Sequence, residues 1–385
     1  MNILHITPYV PSKRASHAGG VCMGKQAEWL IEHHDYHLLT FVNSKQEREL
    51  LTEYGDRASG VSSNTILMGL RSILHPRVPF LFSVRTSPIF TLKLVHLIKK
   101  FKIDAIHAEY TAMGQYQWIK KLFPHLQFNL TEHDVTQQSF SRQKEGAKGL
   151  RKFFLKGQYR KVVRCERKYV AASNTVFSFS QKDCALIDSL YRPRHAAIWL
   201  APYYGVEVEH ADKSPKQPIV CFVGQMGREE NNEAALRLID IFDSFHLGEL
   251  ASLKIIGAHP SQELLSRQSD SIVVTGFVDD INSCISECKV AAFPLVSGAG
   301  VKLKVLLAAS LGLPVITTDI GAEGIDEAGE SLLLAETNED FAVAIRALLE
   351  NEEYYHQKAR AIYSLVERDF SWNHSEETLS KIYPS

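Results

Sequence analysis

Short apolar runs alternate with longer amphipathic stretches along the whole chain, and this alternation restricts the fold more than any other feature of the sequence. In the first half the strand-like runs are NILHIT, HLLTFV, NTILM, AIHAE, FNLTEH, VFSFS and IWLAP; in the second they are IVCFVG, LKIIGA, IVVTGF, VAAFPL, PVITT and SLLLA. Helical periodicity falls between them, over roughly 20–33, 91–101, 113–122, 151–172, 231–245, 261–268, 302–311, 339–350 and 352–368. Strands that are apolar throughout, each followed by a helix, predict parallel sheets covered on both faces. The expected fold class is therefore α/β, built from doubly wound sheets.

A chain of 385 residues is too long for one ordinary core and suits two domains. GVEVEHADKSPKQP, residues 205–218, loses periodicity and gathers charge and proline, which sets the boundary: 1–205 on one side, 218–370 on the other. Two such domains would face each other across a cleft, with ligands beyond the carboxyl ends of the strands. No run of eighteen apolar residues occurs, and MNILHITPYVP reads as a first strand and not as a signal peptide. The six cysteines are scattered, and only Cys284 and Cys288 are close, without a nearby histidine; small buried hydrophobes in a reducing cytoplasm are expected, and no metal site. There is no Walker-type phosphate loop, G-x-S-x-G elbow or opening G-x-G-x-x-G, which argues against ATPases, hydrolases and standard dinucleotide enzymes.

Four loops beyond strand ends attract attention. The loop after NILHIT brings Gly19 and Gly20 to a helix start, where small residues let a ligand approach backbone amides. Glu132, His133 and Asp134 follow one another at a strand terminus, where a histidine can bond a substrate hydroxyl or move a proton. IVCFVGQMGREENN opens the second domain with Gly224 and Gln225, then a helix expected to start near Asn231, a good N-cap residue. The most specific is SGAGVKLK after VAAFPL. Ser297, Gly298, Ala299 and Gly300 form a turn at a helix N-terminus, and Lys302 and Lys304 add mobile positive charge; together these suit a diphosphate.

FVGQM…NNEAALRL, LKIIGA, VVTGFVDDIN, the block AAFPLVSGAGVKLKVLLAASLGLPVITTDIGAEGI and RDFSWNHSEETLSKIY follow one another as in the donor domain of glycosyltransferase family 4, which the second half resembles. The GG loop, TEHD and SFSQKD extend the resemblance over nearly the whole chain. It implies the GT-B architecture, two Rossmann-like domains facing across a cleft, with residues 371–385 packing back on the first. It further implies a nucleotide-sugar donor, retention of configuration and no bound metal or other cofactor. On that footing the SGAG turn, Lys302 and Lys304 hold the donor diphosphate, the backbone of Phe277 and Val278 faces the base, His133 with Asp134 reaches the sugar, and Gly19-Gly20 closes over it. One departure stands out. The family commonly carries two glutamates eight positions apart, the second accepting hydrogen bonds from the ribose; here those places hold Ala299 and Leu307. Gln225 stands where many relatives have a basic residue.

The net charge of −1 conceals a split: residues 1–200 hold 29 Lys+Arg against 15 Asp+Glu, and the remaining 185 hold 14 against 29. The basic half is expected to face an anionic partner. Its densest part, 142–168, has eleven basic and two acidic residues, with Leu150, Phe153, Phe154 and Leu155 interleaved. Lys148, Arg151, Lys152, Phe153, Phe154 and Lys156 are thus the expected acceptor or membrane surface, at the inner face of a cell membrane. Nothing resembles a nucleic-acid-binding signature. The expected activity is sugar transfer to a glycan or lipid-linked acceptor in cell-surface polysaccharide, lipopolysaccharide or related glycoconjugate synthesis. Two alternatives remain open: a catalytically silent GT-B partner or acceptor-recruiting subunit, favoured by Leu307, and a sugar-nucleotide epimerase, which needs cleft carboxylates such as Asp134 and Glu109.

Overall fold

The computed structural model describes residues 1–15, 17–63, 76–205, 217–326 and 329–384. The chain forms two compact units, Met1–Ala201 with Asn373–Ser385, and Pro202–Trp372.

The first unit is built on β1 (Asn2–Thr7), β2 (Asp35–Val42), β3 (Ala58–Ser62), β4 (Ala105–Glu109), β5 (Gln127–Glu132), β6 (Thr175–Ser178) and β7 (Ile198–Trp199). They pair in the order β3-β2-β1-β4-β5-β6-β7, parallel throughout. Because strand side chains alternate, the sheet has two faces of different character. Leu4, Ile6, Leu39, Phe41, Ile106, Ala108, Phe128 and Leu130 share one apolar cluster with Phe90, Leu94 and Ile98 of the helix Pro88–Phe101. That helix starts on the Ser87 cap with proline in its first turn, a sequence-coded start. The alternate positions carry His5, Thr7, Thr40, His107, Glu109, Asn129 and Thr131, all fully buried. They meet Gln26 of the helix Ala18–His33 and Tyr383, just past the helix Trp372–Ile382.

The second unit is built on β8 (Gln217–Val223), β9 (Ser252–Ile256), β10 (Ile272–Gly276), β11 (Cys288–Phe293), β12 (Val315–Thr317) and β13 (Leu333–Leu334). Their order, β10-β9-β8-β11-β12-β13, repeats the pattern of the first sheet, again parallel. In each unit the order reverses beside the first strand, between β1 and β4 and between β8 and β11. Loops leaving those neighbouring strands diverge and open a crevice there.

Some elements differ from expectation. NTILM lies outside the described residues, and the third strand is ASGVS, a polar edge strand. The stretch read as a helix over 113–122 is a 3₁₀ run, Thr111–Lys121, opened by Met113 N–H donating to Tyr110 O at 2.9 Å; Tyr110 sits at φ +68 as the chain turns out of β4. Helices Lys45–Thr52, Thr136–Gly146 and Gln181–Tyr191 have no counterpart among the expected helices; the first two are too polar to show a broad apolar stripe. No helix among the described residues is long and apolar enough to cross a membrane.

Candidate functional site

In the second unit the crevice is framed by the loop after β8 and the turn after β11. The helix beyond the first loop is Glu229–Ser244, capped at Arg228, so Asn231 lies inside its first turn and not at its cap. Asn231 is thereby free to use its side chain elsewhere. Its Nδ2 donates to Gln225 O at 2.9 Å, and its Oδ1 accepts from Lys304 Nζ at 2.5 Å. One side chain therefore ties the loop after β8 to the helix after β11. The loop is held close: a Cβ on Gly224 would stand 2.9 Å from Asn231, and Gly224 N–H donates to Ile256 O at 3.0 Å.

The turn after β11 needs its glycines. Gly298 and Gly300 have φ of +122 and +69, conformations that L side chains avoid. Ser297 and Gly298 are exposed, Ala299 is half-buried, and the helix Leu303–Ser310 starts at Lys302 with no side-chain cap. The two lysines, equivalent in the sequence, part company here. Lys302 folds back, donating to Gly300 O at 2.5 Å with Glu323 Oε2 3.8 Å away. Lys304 lies over the rings of Phe222 and Phe293, at 5.1 and 6.0 Å from their centroids. Among the described residues no carboxylate lies within ion-pair distance of it. Burial, and then the charge of Lys302, lowers its pKa to about 7. Leu307 is half-buried on the same helix. Phe277 is 76% exposed at the end of β10 and Val278 half-buried beside it, two places from β8 in the sheet.

In the first unit the loops after β1, β4 and β5 converge. His133 Nε2 stands 2.6 Å from Glu109 Oε2, and the ring stacks on Tyr110 with centroids 3.6 Å apart. Gly19 packs directly on this pair: a Cβ there would meet Tyr110 Oη at 1.8 Å and lie 3.3 Å from His133 Nδ1. The GG loop and the TEHD loop are thus brought together, and Gly19 is a glycine for lack of room. His17 caps that helix, its Nδ1 accepting from Gly20 N–H at 3.0 Å. Asp134 turns away and accepts from Ser139 Oγ at 2.6 Å. Two further carboxylates brace the loop. Glu166 takes the amides of Thr136 (2.8 Å) and Gln137 (2.9 Å) at the start of the helix Thr136–Gly146, and burial pushes its pKa up to about 7. Glu132, fully buried, is raised well above the carboxylate range by burial and then by Glu166.

Glu109 is the residue the sequence undersold. The sequence offers one signal for it: histidine or glutamate at alternate places inside otherwise apolar strands, as in NILHIT and AIHAE. A groove of about 620 Å³ near Pro11, Lys13, Arg14 and Arg57 is less promising, because Lys13 pairs with Glu28 at 2.7 Å and Arg14 with Glu53. Of the basic stretch, Leu155 is buried, whereas Lys148, Arg151, Lys152 and Lys156 are exposed together with Leu150, Phe153 and Phe154.

Two parallel sheets of like order, each wrapped by helices, invite comparison with known folds. HepE from Anabaena, solved with UDP, superposes with a TM-score of 0.71 over 99% of each chain at 14% identity. Sucrose-phosphate synthase from Thermosynechococcus elongatus gives 0.70 at 15% identity, over 100% of this chain and 98% of that one. S. aureus TarM, solved with Fondaparinux, alpha-GlcNAc-glycerol and UDP, gives 0.69 at 10% identity over the whole of both chains. The fold is GT-B. Within it, residues 217–351 match the family model for Glycosyl transferases group 1, a span holding both second-unit loops and both lysines. No curated protein sequence matches the chain.

Proposed function

We propose that the GT-B chain is a retaining, metal-independent glycosyltransferase that moves a sugar from a nucleotide-diphosphate sugar to a glycan or lipid-linked acceptor in cell-surface glycoconjugate synthesis. The observation that carries this reading is Lys304, half-buried and, among the described residues, without a carboxylate at ion-pair distance, beside an uncapped helix start. A cation so placed is stabilised by an arriving diphosphate, and it needs no reorganisation when negative charge grows on the leaving group. The match over 217–351 and the UDP bound in HepE and TarM support the choice of a nucleotide diphosphate. In the first unit, His133 offers a polar atom beside Gly19 for a sugar hydroxyl.

The acceptor side of the reading rests on the helix Gly149–Ala172. Leu150, Phe153 and Phe154 are 90%, 79% and 57% exposed among four exposed basic residues, and Phe80 N–H donates to Gln158 Oε1 at 2.8 Å, setting exposed Phe80 and Leu81 against the same helix. Such a face fits an anionic lipid surface on the cytoplasmic side. Sedimentation with vesicles containing phosphatidylglycerol is expected to carry down the wild type and about tenfold less of a Phe153→Ser/Phe154→Ser variant; equal recovery of the two would remove the membrane from the reading.

The deciding experiment is calorimetry with a panel of nucleoside diphosphates and nucleotide sugars, on wild type and a Lys302→Ala/Lys304→Ala double variant. One ligand should bind saturably and lose binding in the variant. If folded wild type binds none, Leu307 has removed the donor site, and a silent GT-B subunit becomes the better reading.

A further inference from the structure

A parallel strand buried on both faces is ordinarily apolar on both, yet the polar face of the first sheet gathers its charged and ring-nitrogen groups around a single carboxylate. His5 on β1 lies opposite His107 on β4, and Thr131 on β5 lies opposite Glu109. Glu109 Oε1 stands 3.1 Å from His107 Nε2 and 3.5 Å from His5 Nε2, and Oε2 stands 2.6 Å from His133 Nε2. His107 is itself fixed, with Nδ1 2.7 Å from the hydroxyl of Tyr383, which also accepts from Asn129 Nδ2 at 3.0 Å. His5 Nδ1 meets the hydroxyl of Tyr36 at 3.0 Å.

Burial alone would raise the pKa of Glu109, but hydrogen bonds from His107 and His133, with His5 Nε2 close by at 3.5 Å, hold it well below the carboxylate range. Burial lowers His5 to about 4 despite its contact with Glu109, so that ring is neutral near pH 7. An ionised carboxylate accepts and cannot donate, so the 2.6 Å contact requires a proton on His133 Nε2. Nδ1 of the same ring makes no hydrogen bond among the described residues and faces Gly19.

We propose that Glu109 is a positioning residue that holds His133 in its Nε2–H tautomer, leaving Nδ1 as a hydrogen-bond acceptor for a hydroxyl of the substrate. The identity of that hydroxyl as a sugar's rests on the glycosyltransferase reading; the tautomer does not. Stacking on Tyr110 and the edge contact of Phe179, at 4.6 Å, fix the plane of the ring, while Glu109 fixes its proton. His5, His107 and Tyr383 act one step further back, keeping the carboxylate charged and still.

The test is nitrogen-15 NMR of the full chain carrying ring-labelled histidine, without donor or acceptor, with His133 assigned by the signals lost in His133→Gln. The expected wild-type spectrum has a protonated Nε2 and a bare Nδ1 for His133, and Glu109→Gln replaces this with a mixture of tautomers. A wild-type His133 protonated on Nδ1 alone overturns the proposal whether or not any Glu109 variant folds. So does a Glu109→Gln protein whose His133 signals are unchanged. With an active donor in hand, Glu109→Gln should lower kcat about tenfold or more with donor KM within threefold, and Glu109→Asp should recover part of the loss. A chain that binds no nucleotide sugar but shows the expected tautomer would refute the functional reading and leave this one standing.

Discussion

Both units place an ionisable group beside the point where their sheets reverse order, Glu109 fully buried and Lys304 half-buried, and the two are treated in opposite ways. Glu109 in the first unit is surrounded by three histidines and is compensated by hydrogen bonds, without a full counter-charge, before any ligand arrives. Lys304 in the second has a neutral amide oxygen and two aromatic faces for company. A compensated charge is fixed in place and serves to orient its neighbours. An uncompensated one is poised to gain a counter-charge. The shared strand order supplies the same crevice twice, and side chains at the strand ends decide what each crevice does.

The largest effect should come from removing the uncompensated charge. Lys304→Met is expected to weaken donor binding or turnover by about 10²–10³-fold, the usual cost of losing one group aimed at developing charge. Lys302→Ala should cost nearer tenfold, because Lys302 already has Gly300 O and Glu323 for partners. Steady-state kinetics and calorimetry on the two single variants decide the ranking, and equal losses would break the distinction drawn between compensated and open charges. The free Lys304→Met protein should be at least as stable as wild type, since drawing the ammonium partly out of water costs desolvation.

This contrast was only partly legible in the sequence. Apolar strands such as IVCFVG and VAAFPL announce parallel sheets because burial on both faces leaves no alternative composition. ASGVS, an edge strand, carries no such demand and goes unread. The glycines of SGAG point to their turn because positive φ excludes other residues. What the sequence does not separate is Lys302 from Lys304: their difference comes from Phe222, Phe293 and Asn231, which only the folded chain brings near. Glu109 is hidden for the same reason, since its partners at positions 5, 107 and 133 lie on three strands or their ends.

A smaller but sharper effect concerns pH. With a pKa of about 7 in the free protein, Lys304 is charged below that pH and largely neutral above it. A bound diphosphate raises that pKa, so affinity should be full below pH 7 and fall by up to about tenfold per unit above it, until the bound-state pKa is reached. The free protein runs the other way. The unfolded lysine keeps its proton up to about 10.4, so between that pH and 7 the unfolded chain binds more protons, and this residue's contribution to stability increases with pH. Calorimetry in buffers of different ionisation enthalpy should detect proton uptake on binding at pH 8 and little at pH 6. Uptake that is the same at both would place the diphosphate elsewhere.

The smallest effect tests the compensated side. Tyr383→Phe deletes the hydroxyl that serves His107 Nδ1 and Asn129 Nδ2, leaving both buried without that partner. The expected cost is about 1–3 kcal/mol, or about 2–4 °C of melting temperature per kcal/mol for a unit of this size. If Glu109 is held by several histidines at once, losing the support behind one of them should leave His133 in the same tautomer. Stability would then fall while kcat, measured well below the melting transition, stays within a few-fold of wild type. A variant that keeps its melting temperature and loses turnover would mean that Tyr383 steers the histidine directly, and that the first crevice, like the second, depends on a single unsupported group.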